Sequence, residues 1–198
     1  MSARLAIATA LAFTATACAA AAPERAPVRA KGEPLKESQV VALRNAGFEE
    51  PARPGENCAI HWACTMHADP SAFSFRLEAA SPAQGRQSLC IERVKPEPWA
   101  LVTHGLQDPA LRGKRVRFSI ALRVDAADGN GAGPFILVHG PQGNLAHDER
   151  LVKSTQGWQR MSVDFAVGTT ARLVEVGATM QGGGRACIDD ARVEILED

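Results

Sequence analysis

The stretch Arg115-Val-Arg-Phe-Ser-Ile-Ala-Leu-Arg-Val124 decides the fold. Val116, Phe118, Ile120, Leu122 and Val124 fall on one face of an extended chain, and Arg115, Arg117, Ser119, Ala121 and Arg123 fall on the other. A period of two held this long belongs to a strand with one face in a core and one toward water. Phe73, Phe75 and Leu77 alternate in the same way with Ser74, Arg76 and Glu78. Met161, Val163, Phe165 and Val167 repeat the pattern. Apolar runs predict further strands at 87–94, 99–106, 134–139, 172–180 and 187–196.

Turn residues separate these runs: Ser81-Pro82 through Gly85, Asp108-Pro109 through Gly113, Asp128 through Pro134, Pro141 through Asn144, and Gln181 through Gly184. From residue 40 onward there is no long helical period, no strand–helix alternation and no internal repeat. Short strands punctuated in this way predict an all-β, antiparallel sandwich or barrel. The run Gly129-Asn-Gly-Ala-Gly-Pro134 lacks the helix that completes a phosphate cradle, so it reads as a flexible hairpin loop.

The rest of the chain frames this domain. It has 198 residues with 22 basic and 22 acidic side chains, enough for one domain plus appendages. At 45% hydrophobic residues it can bury a core, and its zero net charge argues against nucleic acid or a polybasic membrane clamp as partner. Residues 1–17 carry an early Arg4 and then an apolar run from Leu5 to Ala17, the pattern of an export signal. The run is shorter than the roughly 20 residues a membrane-spanning helix needs. Ala15-Thr-Ala-Cys18 resembles a lipobox with Ala where Leu is usual, and ordinary cleavage within Ala17–Ala22 is the competing reading. The lipoprotein reading is favoured because Cys18 directly follows the apolar run and its removal leaves an even number of cysteines. Residues 18–39 mix Ala, Pro and charge without apolar period and read as a flexible tether, so the folded domain is expected at 40–198. Without Arg4, 21 basic residues face 22 acidic ones. Membrane contact is expected through the lipid alone, at the outer membrane or, without lipidation, in the periplasm.

Four cysteines remain, Cys58, Cys64, Cys90 and Cys187, which allow three connectivities. Cys58–Cys64 with Cys90–Cys187 is preferred. The first closes an easy local loop, and the second restricts the unfolded chain by roughly 4–5 kcal/mol. Zinc is the rival reading, from Cys58, Cys64 and His67 with His61 inside the loop, but the spacing is not a standard zinc pattern. His104, His139 and His147 are scattered and read as surface or hydrogen-bonded core histidines. Ser88 lacks a nucleophile elbow, and the adjacent carboxylates Glu49-Glu50, Asp148-Glu149 and Asp189-Asp190 cannot converge on one substrate from a strand. No catalytic residue is assigned.

A set of ordered motifs adds to this reading. Asn45-Ala-Gly-Phe-Glu49 opens the domain, and Trp62 follows. Then come Gly85-Arg-Gln-Ser-Leu89, Leu111-Arg-Gly-Lys-Arg-Val-Arg-Phe-Ser119, Gly157-Trp158-Gln159 and Gly183-Gly-Arg-Ala-Cys-Ile-Asp-Asp190. This order resembles the galactose-binding-like jelly-roll domains, above all cellulose- and xylan-type carbohydrate-binding modules. It also resembles the accessory domains that precede the catalytic regions of some bacterial exported peptidases and esterases. The match covers residues 43–196. It implies a non-catalytic binding domain with a structural calcium near the first and last strands.

Asp189 falls in phase with Ala191, Val193 and Ile195, which places a carboxylate on the apparent core face with Glu49 as its natural calcium-binding partner. Alternatively, Asp189 accepts backbone N–H bonds at a turn. Sugar recognition in such modules uses exposed aromatics. Among the three Trp of this Tyr-free chain, Trp158 matches a position that is usually core, Trp62 sits between two Cys, and Trp99 is the best exposed candidate. Arg117, Ser119 and Arg123 line the polar face of the strongest strand, as ligand contacts or as solvated surface. Two functional readings follow: a lipid-anchored cell-envelope module that recognises a glycan, or an envelope protein that uses the sandwich to contact another protein. An open groove at Trp99 favours the first, and a flat apolar patch favours the second.

Overall fold

The computed structural model describes residues 40–196; the expected export signal, lipid anchor at Cys18 and tether lie outside the described residues. Eleven strands follow in order: β1 (Val40–Val41), β2 (Ala63–Met66), β3 (Phe73–Glu78), β4 (Ser88–Arg93), β5 (Ala100–Leu106), β6 (Arg115–Asp125), β7 (Gly131–Gly140), β8 (Gly143–Glu149), β9 (Gln159–Ala166), β10 (Leu173–Gln181) and β11 (Arg185–Leu196). Among the described residues the only helical turn is a 3-10 turn at Pro109–Leu111, capped where Asp108 Oδ1 accepts the Ala110 N–H at 2.8 Å.

The strands form two antiparallel sheets. One is ordered β3-β4-β11-β6-β9, with β1 added to the end of β11; the other is ordered β2-β5-β10-β7-β8. The expected antiparallel β-sandwich is therefore the architecture found. β6 supplies Val116, Phe118, Ile120, Leu122 and Val124 to the core, none of them more than 1% exposed. They meet Val102 from β5, Ile136 and Val138 from β7, and Val174, Val176, Ala178 and Met180 from β10. Each such side chain contributes about 1.5–3 kcal/mol by leaving water.

The last strand lies inside its sheet. One edge of β11 pairs with β6 along most of its length. The other edge is divided between β4, through Cys187↔Cys90, and β1, through Val40↔Glu194. Both preferred disulfides form: Cys58–Cys64 within a loop, and Cys90–Cys187 directly across β4 and β11.

Three features differ from the sequence expectations. First, the register of β11 jumps between Asp189↔Ala121 and Arg192↔Ser119, a bulge in which Asp190 adopts a positive φ of 45°. A bulge shifts the side-chain phase by one residue. Asp189 therefore shares the outward face of Ala121, and only from Ala191 onward does the core phase resume. Second, residues 131–134 are strand rather than flexible loop. Gly133 pairs with Thr179, and a side chain there would strike the carbonyl of Arg150 in the chain running past it. Third, β2 and β8 carry little apolar alternation, yet both form as edge strands held by one neighbour.

Candidate functional site

Trp99 stands one residue before β5. Since Met180 pairs with Ala100, one further step sets Trp99 beside Gln181. Trp99 is half-buried and forms one side of an open groove of about 370 Å³. The remaining lining comes from Pro98 and Arg93, from Asp128, Gly129 and Asn130 in the β6–β7 connection, and from Gln181 and Gly182 at the end of β10. Three loops from three parts of the chain thus converge on one tryptophan.

The polar lining is fixed. Arg93 Nη2 donates to both carboxylate oxygens of Asp128, at 2.9 and 3.1 Å. Asp128 Oδ1 also accepts the Gly183 N–H. A Cβ at Gly183 would lie 2.5 Å from Arg93 Nη2 and 2.7 Å from Asp128 Oδ2, so only glycine lets the ion pair rest against this backbone. Asn130 Nδ2 donates to Gln181 Oε1 at 2.9 Å, and Gln181 Nε2 donates to Glu149 at 2.7 and 2.8 Å. The groove therefore offers one aromatic wall and hydrogen-bonded polar groups in the same lining, the usual make-up of a small-ligand site. The sequence marked Trp99 but missed Arg93, Asp128, Asn130 and Gln181, since turn composition does not say which loops meet.

The other ligand candidates lie on the opposite sheet and do not join Trp99. Arg117, on the outward face of β6, donates through Nε and Nη2 to Asp164 of β9, both at 2.7 Å. The guanidinium holds the Asp164 carboxyl below its ordinary range. Arg123 lies 5.0 Å over the ring of Trp158, with Nη2 3.7 Å from Cys187 Sγ. Trp158 is not core. It stands half-buried on this outer face, with its indole N–H donating to Ser81 O at 2.8 Å. Trp62 is buried instead, packed 4.7 Å from Phe48 and donating to Asn45 O at 3.0 Å. The opening motif thus closes one end of the core.

Glu49 and Asp189, the calcium candidates, both face backbone amides. Asp189 is fully buried; Oδ2 accepts the Gln84 N–H at 2.9 Å and Oδ1 accepts the Asp190 N–H at 2.7 Å. Burial pushes its carboxyl above the ordinary value, while these amides oppose the shift. Glu49 Oε1 accepts the N–H groups of Arg86 and Gln87 at 2.7 and 3.2 Å, and its Oε2 meets Arg86 Nε at 3.1 Å. The Arg86 backbone amide, above all, lowers the Glu49 carboxyl. Carboxylates occupied by N–H donors and a guanidinium do not fit a calcium shell, which needs six to eight oxygens. Among the described residues no three His, Cys, Asp or Glu side chains gather as a cation site. Cys58 and Cys64 are joined to each other, so neither serves as a zinc thiolate.

His139 meets Glu175 at 2.6 Å, as a hydrogen-bonded histidine should. His104 departs from expectation. It points into the sandwich, is 8% exposed and has no hydrogen-bond partner on either ring nitrogen. Its ring stands edge-on to Trp62 at 5.3 Å.

No protein-family model matches the chain, and a search of curated proteins finds no match. Solved structures are similar in fold. The enzymatically active domain of bacteriophage CBA120 tailspike protein 4 aligns at 11% identity and a TM-score of 0.59 over 78% of this chain, which spans only 21% of that one. The CBM22-1 xylan-binding domain of Paenibacillus barcinonensis Xyn10C aligns at 14% identity and a TM-score of 0.57, covering 77% of this chain and 93% of that domain. The C-terminal family 22 carbohydrate-binding module of Clostridium thermocellum Xyn10B, in which cleft residues act in ligand binding, aligns at 17% identity and 0.53, covering 76% and 90%. Likeness at such identities is one of architecture: residues 40–196 adopt the two-sheet jelly roll of carbohydrate-binding modules.

Proposed function

We propose that this chain is a non-catalytic glycan-binding module of the cell envelope, with Trp99 as the platform on which a sugar ring stacks. One observation carries the reading: the groove's half-buried tryptophan faces the fixed set Arg93, Asp128, Asn130 and Gln181. A pyranose has an apolar C–H face that suits an indole and a rim of hydroxyls that suits paired donors and acceptors. Structural neighbours named for binding xylan, and one solved with β-1,4-galactotriose, support the ligand class. The apolar N-terminus and Cys18 support export and attachment through a lipid, with residues 18–39 as the tether.

Glycan-array binding of the full chain, followed by titration of the selected sugar, tests this. Trp99→Ala is expected to weaken binding roughly tenfold or more, as loss of an aromatic anchor does. Arg117→Gln and Arg123→Gln, on the other sheet, are expected to leave it unchanged. Equal binding by the Trp99→Ala chain, or binding lost only with the arginines, would overturn the assignment.

A further inference from the structure

The segment carrying Trp99 belongs to no strand until Ala100, so something else must hold the indole in place. At its start, the N–H groups of Val94 and Lys95 donate to Ala72 O at 2.8 and 3.2 Å, and Lys95 Nζ reaches Ser71 Oγ at 2.5 Å. Next comes Pro96-Glu97-Pro98, in which the two prolines have no N–H to give and fix their own φ. Glu97 is the exception in this stiff bracket. Its side chain is only 9% exposed, and Oε1 accepts the Ala68 N–H at 2.7 Å and meets His67 Nδ1 at 2.8 Å. A carboxylate oxygen can only accept, so His67 carries a proton on Nδ1 and its ring orientation is set. That ring stands edge-on to Trp99 with centroids 5.8 Å apart, and the His67 N–H donates to Trp99 O at 3.2 Å.

We infer that Glu97 is a positioning residue for the groove: through Ala68 and His67 it fixes the angle at which Trp99 meets a ligand, without lining the groove itself. This rests on Trp99 being the stacking wall. Removing the carboxylate releases the Ala68 amide and the His67 ring that stands against the indole, and a site loosened by about an ångström loses much of its affinity.

Two measurements test it. In the full chain labelled with 5-fluorotryptophan, 19F NMR reports three tryptophans separately, and the Trp99 signal is assigned by its absence from the Trp99→Phe chain. Glu97→Ala is expected to shift or broaden that signal and leave Trp62 and Trp158 in place. Glu97→Gln, whose Oε1 still accepts both bonds, is expected to restore it. In parallel, xylohexaose titration should show roughly tenfold weaker binding for Glu97→Ala and near-normal binding for Glu97→Gln. An unmoved Trp99 signal in Glu97→Ala, or a Gln variant no better than Ala, would overturn the role. Failure of the unmodified chain to bind xylohexaose counts against the glycan reading for that sugar, while the NMR comparison still decides the role of Glu97.

Discussion

His104 is expected to make the fold acid-sensitive as pH falls through the ordinary histidine range. Burial, above all, lowers its pKa from the ordinary 6.5; the Gly105 backbone opposes the shift, and the Arg44 charge adds to it. The sign follows from proton counting. Near pH 6 the unfolded chain binds more proton at this position than the folded chain does, so acid favours unfolding. The contribution is present above about pH 6.5 and is lost as pH falls toward the lowered folded-state value, with about 1.4 kcal/mol as the ceiling of the loss at pH 5.5. The loss continues until the folded-state value is reached. His104→Leu keeps an apolar side chain of similar size against Trp62 and removes the titration. Urea unfolding of both proteins at pH 7.5 and 5.5 measures the effect as a double difference, in which the other histidines and carboxylates cancel. The parent should lose more than the variant between the two pH values, by up to about 1.4 kcal/mol. His104→Met, treated in the same way, separates the charge effect from any misfit of leucine. Equal losses in the parent and both variants would refute the argument.

Other outcomes follow from the same geometry. The two disulfides close loops of sequence separation 97 and 6, so replacing Cys90 and Cys187 by Ala should cost about 5 kcal/mol and replacing Cys58 and Cys64 about 2. Urea unfolding checks this, and a larger cost for the short loop would contradict it. Asp189→Ala leaves the part-buried amides of Gln84 and Asp190 without their acceptor and should destabilise by about 1–3 kcal/mol, with Asp189→Asn recovering part of the loss. Near-wild-type unfolding of the Ala variant would show that those bonds are dispensable. Because Glu49 and Asp189 already face N–H donors, the thermal midpoint should be the same in EDTA and in millimolar calcium. A rise of several degrees with calcium would restore the metal reading.

The architecture was legible because its main signal is local. Val116 to Val124 alternate without interruption, and a strand reports its buried face through its nearest neighbours in sequence. The phase of Asp189 was misread because a bulge is invisible to a strict count of two: the extra residue at Asp190 restores the core phase after a shift. The site was half legible. Trp99 could be chosen as an aromatic beside prolines, but Arg93, Asp128 and Gln181 are 35 or more residues apart and meet only through the strand order. Arg117 and Arg123 share a polar face that looks free in sequence, yet their partners are Asp164 on β9 and Trp158 just before it. His104 kept the period of β5, and nothing local signals that a histidine in the apolar phase goes unpartnered.

The interior position of β11 also constrains how the molecule is assembled. Residues 185–196 are the last strand among the described residues, yet β1, β4 and β6 all depend on them for pairing. A chain emerging amino end first cannot complete that sheet as it appears. Its earlier strands must wait with one or both edges open until residues 185–196 arrive. Such long-range closure makes folding slow relative to local structure and exposes unpaired edges for its duration. This jelly roll should therefore form as a single late event, and a chaperone that shields β4 and β6 before β11 is available would raise its yield more than one that acts afterwards.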